Sequence, residues 1–368
     1  MNKKILIIAL ILLVSAISFL RSFLGLIGAI PWNYGYSDIF NEDRINPIEA
    51  KKIPYLERSI EYPVITGFFI YLMWALGKNV LGYSILTWVF LTVFTIVTSL
   101  TLYELCGFLK IDRKRLFWFF IFAPSLIVFN VYNWDIIAVM FMVLAIYAFY
   151  KNHYVWAGIL LSLGFNSKIF PIFLLPLMLI KTSKKNAFKI GTAFVITSIL
   201  LNIYFVVNSF DVWKNSYLIH SLSEPNIDSI WTLTGLSTSA INILSLALFL
   251  SSYLILMSSH KKFSIISSGF IALLLFLSFN KVFSPQYLLW ILPFFVLMEK
   301  IPKRVYYSLE ASNIIVAFST LYWLFASKEP LFLSLSNTFV VVRSLVLAYL
   351  IYAIIKTSSQ TENKTVQY

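Results

Sequence analysis

The chain has 368 residues, of which 60% are hydrophobic, 18% aromatic and only 12% charged. A soluble chain carries about 25% charged residues, so this one lacks the charge to coat a globule, and its surplus apolar surface must face lipid. The net charge of +13 would suggest nucleic acid in a soluble protein, but the basic residues sit in short clusters between apolar runs, which signals membrane topology and no nucleic-acid partner.

The apolar runs are continuous and not alternating, which argues against a transmembrane barrel. The single cysteine, Cys106, allows no disulfide within the chain. A membrane span needs about 20 apolar residues. Candidates lie near 5–20, 84–108, 116–131, 135–150, 154–166, 169–181, 188–207, 232–258, 263–279, 285–299, 304–326 and 331–355. The first reads as an uncleaved span, because no small-x-small cleavage site is clear before Arg21. The two short runs 154–166 and 169–181, separated by Asn166-Ser167-Lys168, have the pattern of a tight helical hairpin bent at its outer end.

The run from Tyr62 to Leu76 decides the topology. It is too short for a comfortable span and follows Glu61-Tyr62-Pro63. If it stays at the outer surface as an interfacial or re-entrant helix, the clusters at Lys3-Lys4, 110–115, 181–189, 261–262 and 300–304 all fall inside. Beyond the first outer loop, only Lys168, Lys214, Lys281 and Lys328 then fall outside. The expected fold class is therefore all-α: one polytopic transmembrane bundle over residues 1–356, with about 12 spans. It sits in the cell membrane with both termini cytoplasmic, long outer loops at 21–83 and 208–231, and a disordered tail at 357–368.

There is no Walker motif, dinucleotide turn, zinc spacing or Ser/His/Asp signature. Function has to be sought in polar residues placed where lipid makes them costly. The first outer loop carries Asp38, Glu42, Asp43, Glu49, Glu57 and Glu61. Most alternate with Arg or Lys and read as solvated charges. Asp38 instead follows the aromatic stretch Pro31-Trp32-Asn33-Tyr34-Gly35-Tyr36-Ser37, where a partly desolvated carboxylate is a candidate general base. Asn133-Trp134-Asp135, Asn166-Ser167-Lys168, Asn280-Lys281 and the loop with His220, Glu224, Asn226 and Asp228 all fall on the same side. Taken singly they read as loop cations or snorkelling side chains. Together Lys168, Lys281 and His220 suit the phosphate of a lipid head group. Arg343, inside the last span, has two readings: a further anion partner, or a structural pairing with Glu310 or Glu104.

The order of these pieces resembles the glycosyltransferase-C superfamily, and within it the polyprenol-phosphate-mannose-dependent mannosyltransferases of bacteria and archaea. The resemblance rests on Tyr36-Ser37-Asp38-Ile39, Glu61-Tyr62-Pro63, Asn133-Trp134-Asp135, the run from Ala157 to Gly164 followed by Ser167-Lys168-Ile169-Phe170-Pro171, and Lys281 to Trp290. It covers roughly residues 5–300. The resemblance implies an inverting transferase whose donor is a hexose, mannose above all, on a polyprenyl or dolichyl monophosphate carrier. The acceptor would be a lipid-linked or glycan molecule at the outer face. It assigns Asp38 as the base and Lys168, Lys281 and His220 to the donor phosphate; Arg343, outside the stretch it covers, is a further candidate for that phosphate from its place in an apolar span, and Glu61, Tyr62, Asn133, Asp135 and Gln286 are candidates for sugar and acceptor binding. No cofactor is implied. A divalent metal is not expected, because Asp38…Glu42-Asp43 is not a clean Asp-x-Asp pair. A transporter or lipid-linked-sugar flippase, or a non-catalytic scaffold, is the alternative from composition and span count.

Overall fold

The computed structural model describes residues 2–41 and 51–365, without the side chains of 220–222 and 358–365. Among the described residues the chain is helical and has no β-strand. In order the helices are α1 (Lys3–Leu26), α2 (Trp32–Gly35), α3 (Val64–Gly77), α4 (Val80–Phe108), α5 (Lys114–Leu116) and α6 (Pro124–Phe129). Next come α7 (Asp135–Tyr150), α8 (Tyr154–Phe165), α9 (Leu174–Ile180), α10 (Lys184–Asn208) and α11 (Phe210–Leu222). The last are α12 (Thr238–Ser258), α13 (Ile265–Phe279), α14 (Leu292–Leu297), α15 (Lys303–Tyr322) and α16 (Pro330–Thr365). Because α16 runs to Thr365, the polar segment expected to be a disordered tail from 357 is helical as far as it is described.

Six segments are long and apolar enough to cross a membrane: Lys3–Leu26, Val80–Phe108, Lys184–Asn208, Thr238–Ser258, Lys303–Ser327 and Pro330–Thr357. The remaining apolar runs fold into shorter or broken helices. Residues 116–131, expected as one span, divide into α5, a π-helical turn at Phe117–Ile121, and α6, which starts afresh at Pro124. Proline has no N–H for the ladder and clashes with the preceding turn, so the helix must restart there. Pro171 and Pro285 likewise open the 3-10 turns Phe170–Phe173 and Pro285–Trp290.

The hydrophobicity of the helices is sorted by position. Most residues of α7 and α13 are buried, so these form the centre. On α10, Val195, Ile199, Leu200 and Val207 are exposed, as are Ile243 and Ile255 on α12 and Leu345 and Tyr352 on α16. An apolar belt on the rim of an already apolar core is what a lipid-facing bundle presents.

The bundle has two distinct ends. At one, Lys4 pairs with Glu104 at 2.6 Å, Arg115 donates to the carbonyls of Phe295, Val296 and Met298, and Lys151 lies over the Phe108 ring. At the other end lie the loop after α1, the start of α7, the end of α8 and the loops around 226 and 281, which touch one another as described below. Helix α3 packs antiparallel along the first half of α4, with Trp74 beside Tyr83 and Phe69 beside Phe90 and Phe94. Its 14 residues span about 21 Å, short of the roughly 30 Å hydrocarbon core.

Candidate active site

The Asp38 segment is held by the C-terminal half of α1 and the turn before α7. Helices α1 and α2 cross so closely that a Cβ on Gly35 would lie 2.4 Å from the Gly25 Cα, so both positions need glycine. Arg21 donates to the carbonyls of Tyr34 (2.6 Å), Tyr36 (3.2 Å) and Val128 (3.3 Å). The Ser37 hydroxyl sits between the Val131 and Tyr132 carbonyls, and the Asp38 N–H donates to Tyr132 at 2.9 Å. The Asp38 carboxylate accepts from the Tyr36 hydroxyl at 3.0 Å and is buried.

Glu61 and Tyr62 reach the same place by a junction of helix ends. The last carbonyls of a helix and the first N–H groups of another have no partners of their own. Here the Ile65 N–H and the Thr66 hydroxyl donate to the Asn166 and Ser167 carbonyls just past α8, each at 2.8 Å. That seam sets the start of α3 beside Lys168. The Lys168 ammonium pairs with Asp135 at 2.8 Å and lies over the rings of Tyr62, Tyr287 and Trp290. The Trp290 indole N–H donates to the other Asp135 oxygen at 2.9 Å. Burial opposes the lysine's charge, but Asp135 outweighs it, and the ammonium is held protonated above the usual lysine range.

The opposite wall is the loop after α11. The Asn226 side-chain amide donates to the Ser284 hydroxyl at 2.8 Å, and its backbone N–H donates to the Lys281 carbonyl at 3.0 Å. The Lys281 ammonium donates to the Ser223 carbonyl at 2.6 Å, and burial lowers its pKa. Asp228 accepts from the Thr320 hydroxyl at 2.7 Å. Burial pushes its carboxyl up to about 6, although Thr320 and Arg343 oppose the shift.

Two cavities meet here. A polar one of about 370 Å³ is lined by Asp38, Glu61, Glu224 and Asp228, with Lys168 as its only basic lining residue among those described. A chiefly apolar groove of about 570 Å³ runs between Leu246, Phe276 and Trp290 and carries both Lys168 and Lys281. Glu61, Lys168, Val282 and Tyr287 belong to both walls. The polar cavity lies in the usual range for small-ligand sites, about 300–1,000 Å³.

Of the residues singled out in the sequence, Asp38, Glu61, Tyr62, Lys168 and Gln286 line the polar cavity, and Lys281 lines the groove. Three stand elsewhere. Asn133 and Asp135 lie behind the wall: Asn133 accepts from the Asp135 N–H at 3.0 Å, and Asp135 fixes Lys168. Neither is positioned to touch a sugar. Arg343 is also behind the wall and lines neither cavity. It donates to Asn313 at 2.8 Å and to the carbonyls of Asp228 and Phe283, and stacks on the Phe283 ring. Its protein partners are therefore not Glu310, which binds Ser125, nor Glu104, which binds Lys4. The His220 side chain and residues Glu42, Asp43 and Glu49 lie outside the described residues. No group of His, Cys, Asp or Glu among those described is arranged to hold a metal.

Glu224, Asn226 and Asp228, noted in the sequence only as members of one polar loop, also line the polar cavity, and Thr320 is a lining residue that sequence reasoning passed over. The signal for Asp228 and Thr320 was indirect. An arginine buried within an apolar helix must find carbonyl or carboxylate partners, and Arg343 finds them in the loop that carries Asp228. The sequence matches no known protein-family model and no curated protein.

Proposed function

We propose that this chain is an inverting glycosyltransferase of glycosyltransferase-C type, moving a hexose, mannose in the first instance, from a polyprenyl or dolichyl monophosphate to a lipid-linked or glycan acceptor. The observation that carries this reading is the junction of the two cavities. A lipid-linked sugar phosphate has three chemically different parts in a fixed order: apolar tail, phosphate, polyhydroxyl ring. The groove, its two lysines and the carboxylate-lined cavity present matching surroundings in the same order.

In the proposed reaction the acceptor hydroxyl oxygen attacks the anomeric carbon as the bond from that carbon to the phosphate oxygen breaks. The phosphate leaves with the bonding pair, and Asp38 takes the acceptor's proton. Lys168 and Lys281 face the oxygen on which negative charge develops, where fixed cations lower the barrier most. The ring cage and Asp135 keep the Lys168 ammonium in place, so little reorganisation is needed as that charge appears.

Twelve membrane segments belong to this reading, and it is supported by two short segments that lead from the cavity toward the basic end or back. Helix α7 begins at Asp135 beside the cavity and is followed by Lys151 at the basic end. The segment 285–297 runs the opposite way, from the cavity to the carbonyls that hold Arg115. The clustering of basic residues at the end away from the cavity supports cytoplasmic termini and an active site on the outer face.

The test is to incubate purified protein with polyprenyl-phosphate-mannose or with nucleotide-linked mannose and follow donor loss in the presence of membrane lipid extract. The reading predicts consumption of the lipid donor. Consumption of the nucleotide sugar alone would overturn it.

A further inference from the structure

The polar cavity contains two hydrogen-bonding groups whose capacity the fold leaves unused. The first is Asp228, which is 6% exposed. One of its oxygens accepts from Thr320, and the other accepts no hydrogen bond among the described residues while the side chain lines the cavity. The second is Gln286, which is 8% exposed and also lines the cavity. Its amide makes no hydrogen bond among the described residues. Both groups open onto the same cavity with hydrogen-bonding capacity that a ligand can use.

A single buried frame holds both. Arg343 donates to the Asp228 carbonyl and to the Asn313 side-chain oxygen, and Asn313 donates to the Pro285 carbonyl at 2.9 Å, one residue before Gln286. Thr320, which orients the Asp228 carboxylate, is itself hydrogen-bonded to Ser336 at 2.7 Å. Helices α15 and α16 thus fix the two groups in position before any ligand arrives.

We propose that Asp228 and Gln286 form the specificity pair of the polar cavity, binding hydroxyls of the transferred ring and selecting an uncharged polyol over an anionic sugar. This rests on the lipid-donor reading above and goes beyond it in naming the residues that choose the sugar. A carboxylate accepts from a hydroxyl, and a carboxamide both donates and accepts, so the pair suits vicinal hydroxyls. The cavity wall supports the choice by charge. Its described lining carries four carboxylates and one cation, Lys168. A uronate ring would meet like charge from these carboxylates, which costs it affinity.

The test measures equilibrium binding of polyprenyl-phosphate-mannose and its monodeoxy derivatives, and of the corresponding uronate, to the purified protein, alongside transfer rates. Wild type, Asp228→Ala and Gln286→Ala are compared, with Asp228→Asn and Gln286→Glu as variants of similar size. The pair predicts that at least one deoxy donor binds wild type about 10–100-fold more weakly, as expected when a polar group in the site loses its partner. That penalty should vanish in the matching alanine variant. Asp228→Asn should narrow the discrimination against the uronate. If every deoxy penalty persists unchanged in both alanine variants, the two residues are structural and the inference fails, whether or not transfer occurs. If the donor binds with these couplings but is not transferred, the specificity pair stands and the transferase reading falls. If no lipid donor binds at all, both fall.

Discussion

The Lys168–Asp135 pair is the most consequential contact at the residue level, because it is buried and sits where the two cavities join. Replacing one member of a buried pair leaves an uncompensated charge and costs about 3–5 kcal/mol, whereas removing both is far milder. Asp135→Asn is therefore expected to lower the midpoint of thermal unfolding in detergent markedly, and Asp135→Asn combined with Lys168→Met to recover most of the loss. A single variant as stable as wild type would show that the pair contributes nothing. The chemistry of this pair was only half legible in the sequence. Lys168 stood out as an outer-end cation, and Asp135 as a carboxylate opening a helix. That the second serves the first, rather than a substrate, depends on a contact between residues 33 positions apart that no spacing rule encodes. Asp38, Glu61 and Gln286 were easier to place, since each lies in a short polar motif flanking an apolar run. Asp228 was harder, because its loop holds several polar residues and only the packing of α15 and α16 sets it apart.

The element that carries most of the site's geometry is the crossing of α1 and α2. Gly25 and Gly35 approach to a distance that no side chain allows. Gly35→Ala is expected to push the crossing apart at a cost of about 1–3 kcal/mol and to displace the segment bearing Asp38. The variant should lose transfer activity out of proportion to its loss of stability, as read by rate and by thermal unfolding on the same preparation. Unchanged activity would show that the crossing does not position Asp38. Apolar runs located the long helices, because such runs admit little else, but helix α11 lies in the stretch 208–231 that was expected as an outer loop. Hydropathy also erred on continuity. The run 116–131 is interrupted before Pro124, and residues 285–299 begin as a 3-10 turn before α14. Hydropathy averages over each run and does not register which of its turns are π-helical or 3-10. Helix α3 shows the same limit: composition set its length, but the seam between its first turn and the end of α8 fixed its direction.

On the scale of the whole molecule, the basic end and the cavity end should lie on opposite sides of the membrane. Cys106 is buried and is the only cysteine, so a Cys106→Ser background allows single thiols to be placed at will. In intact cells an impermeant thiol reagent is expected to label Glu329→Cys, in the exposed loop before α16, and to spare Lys185→Cys, at the start of α10, until the membrane is opened. The reverse pattern would invert the topology and place the cavity on the cytoplasmic face.

The central claim is that this fold holds a lipid-linked sugar so that Asp38 can take a proton from the acceptor. The most direct test compares donor binding and transfer in wild type and Asp38→Asn with polyprenyl-phosphate-mannose. The account predicts that the variant binds the donor as wild type does while transfer falls by about 10²–10⁴-fold, the usual contribution of a general base. Full turnover by Asp38→Asn would contradict it.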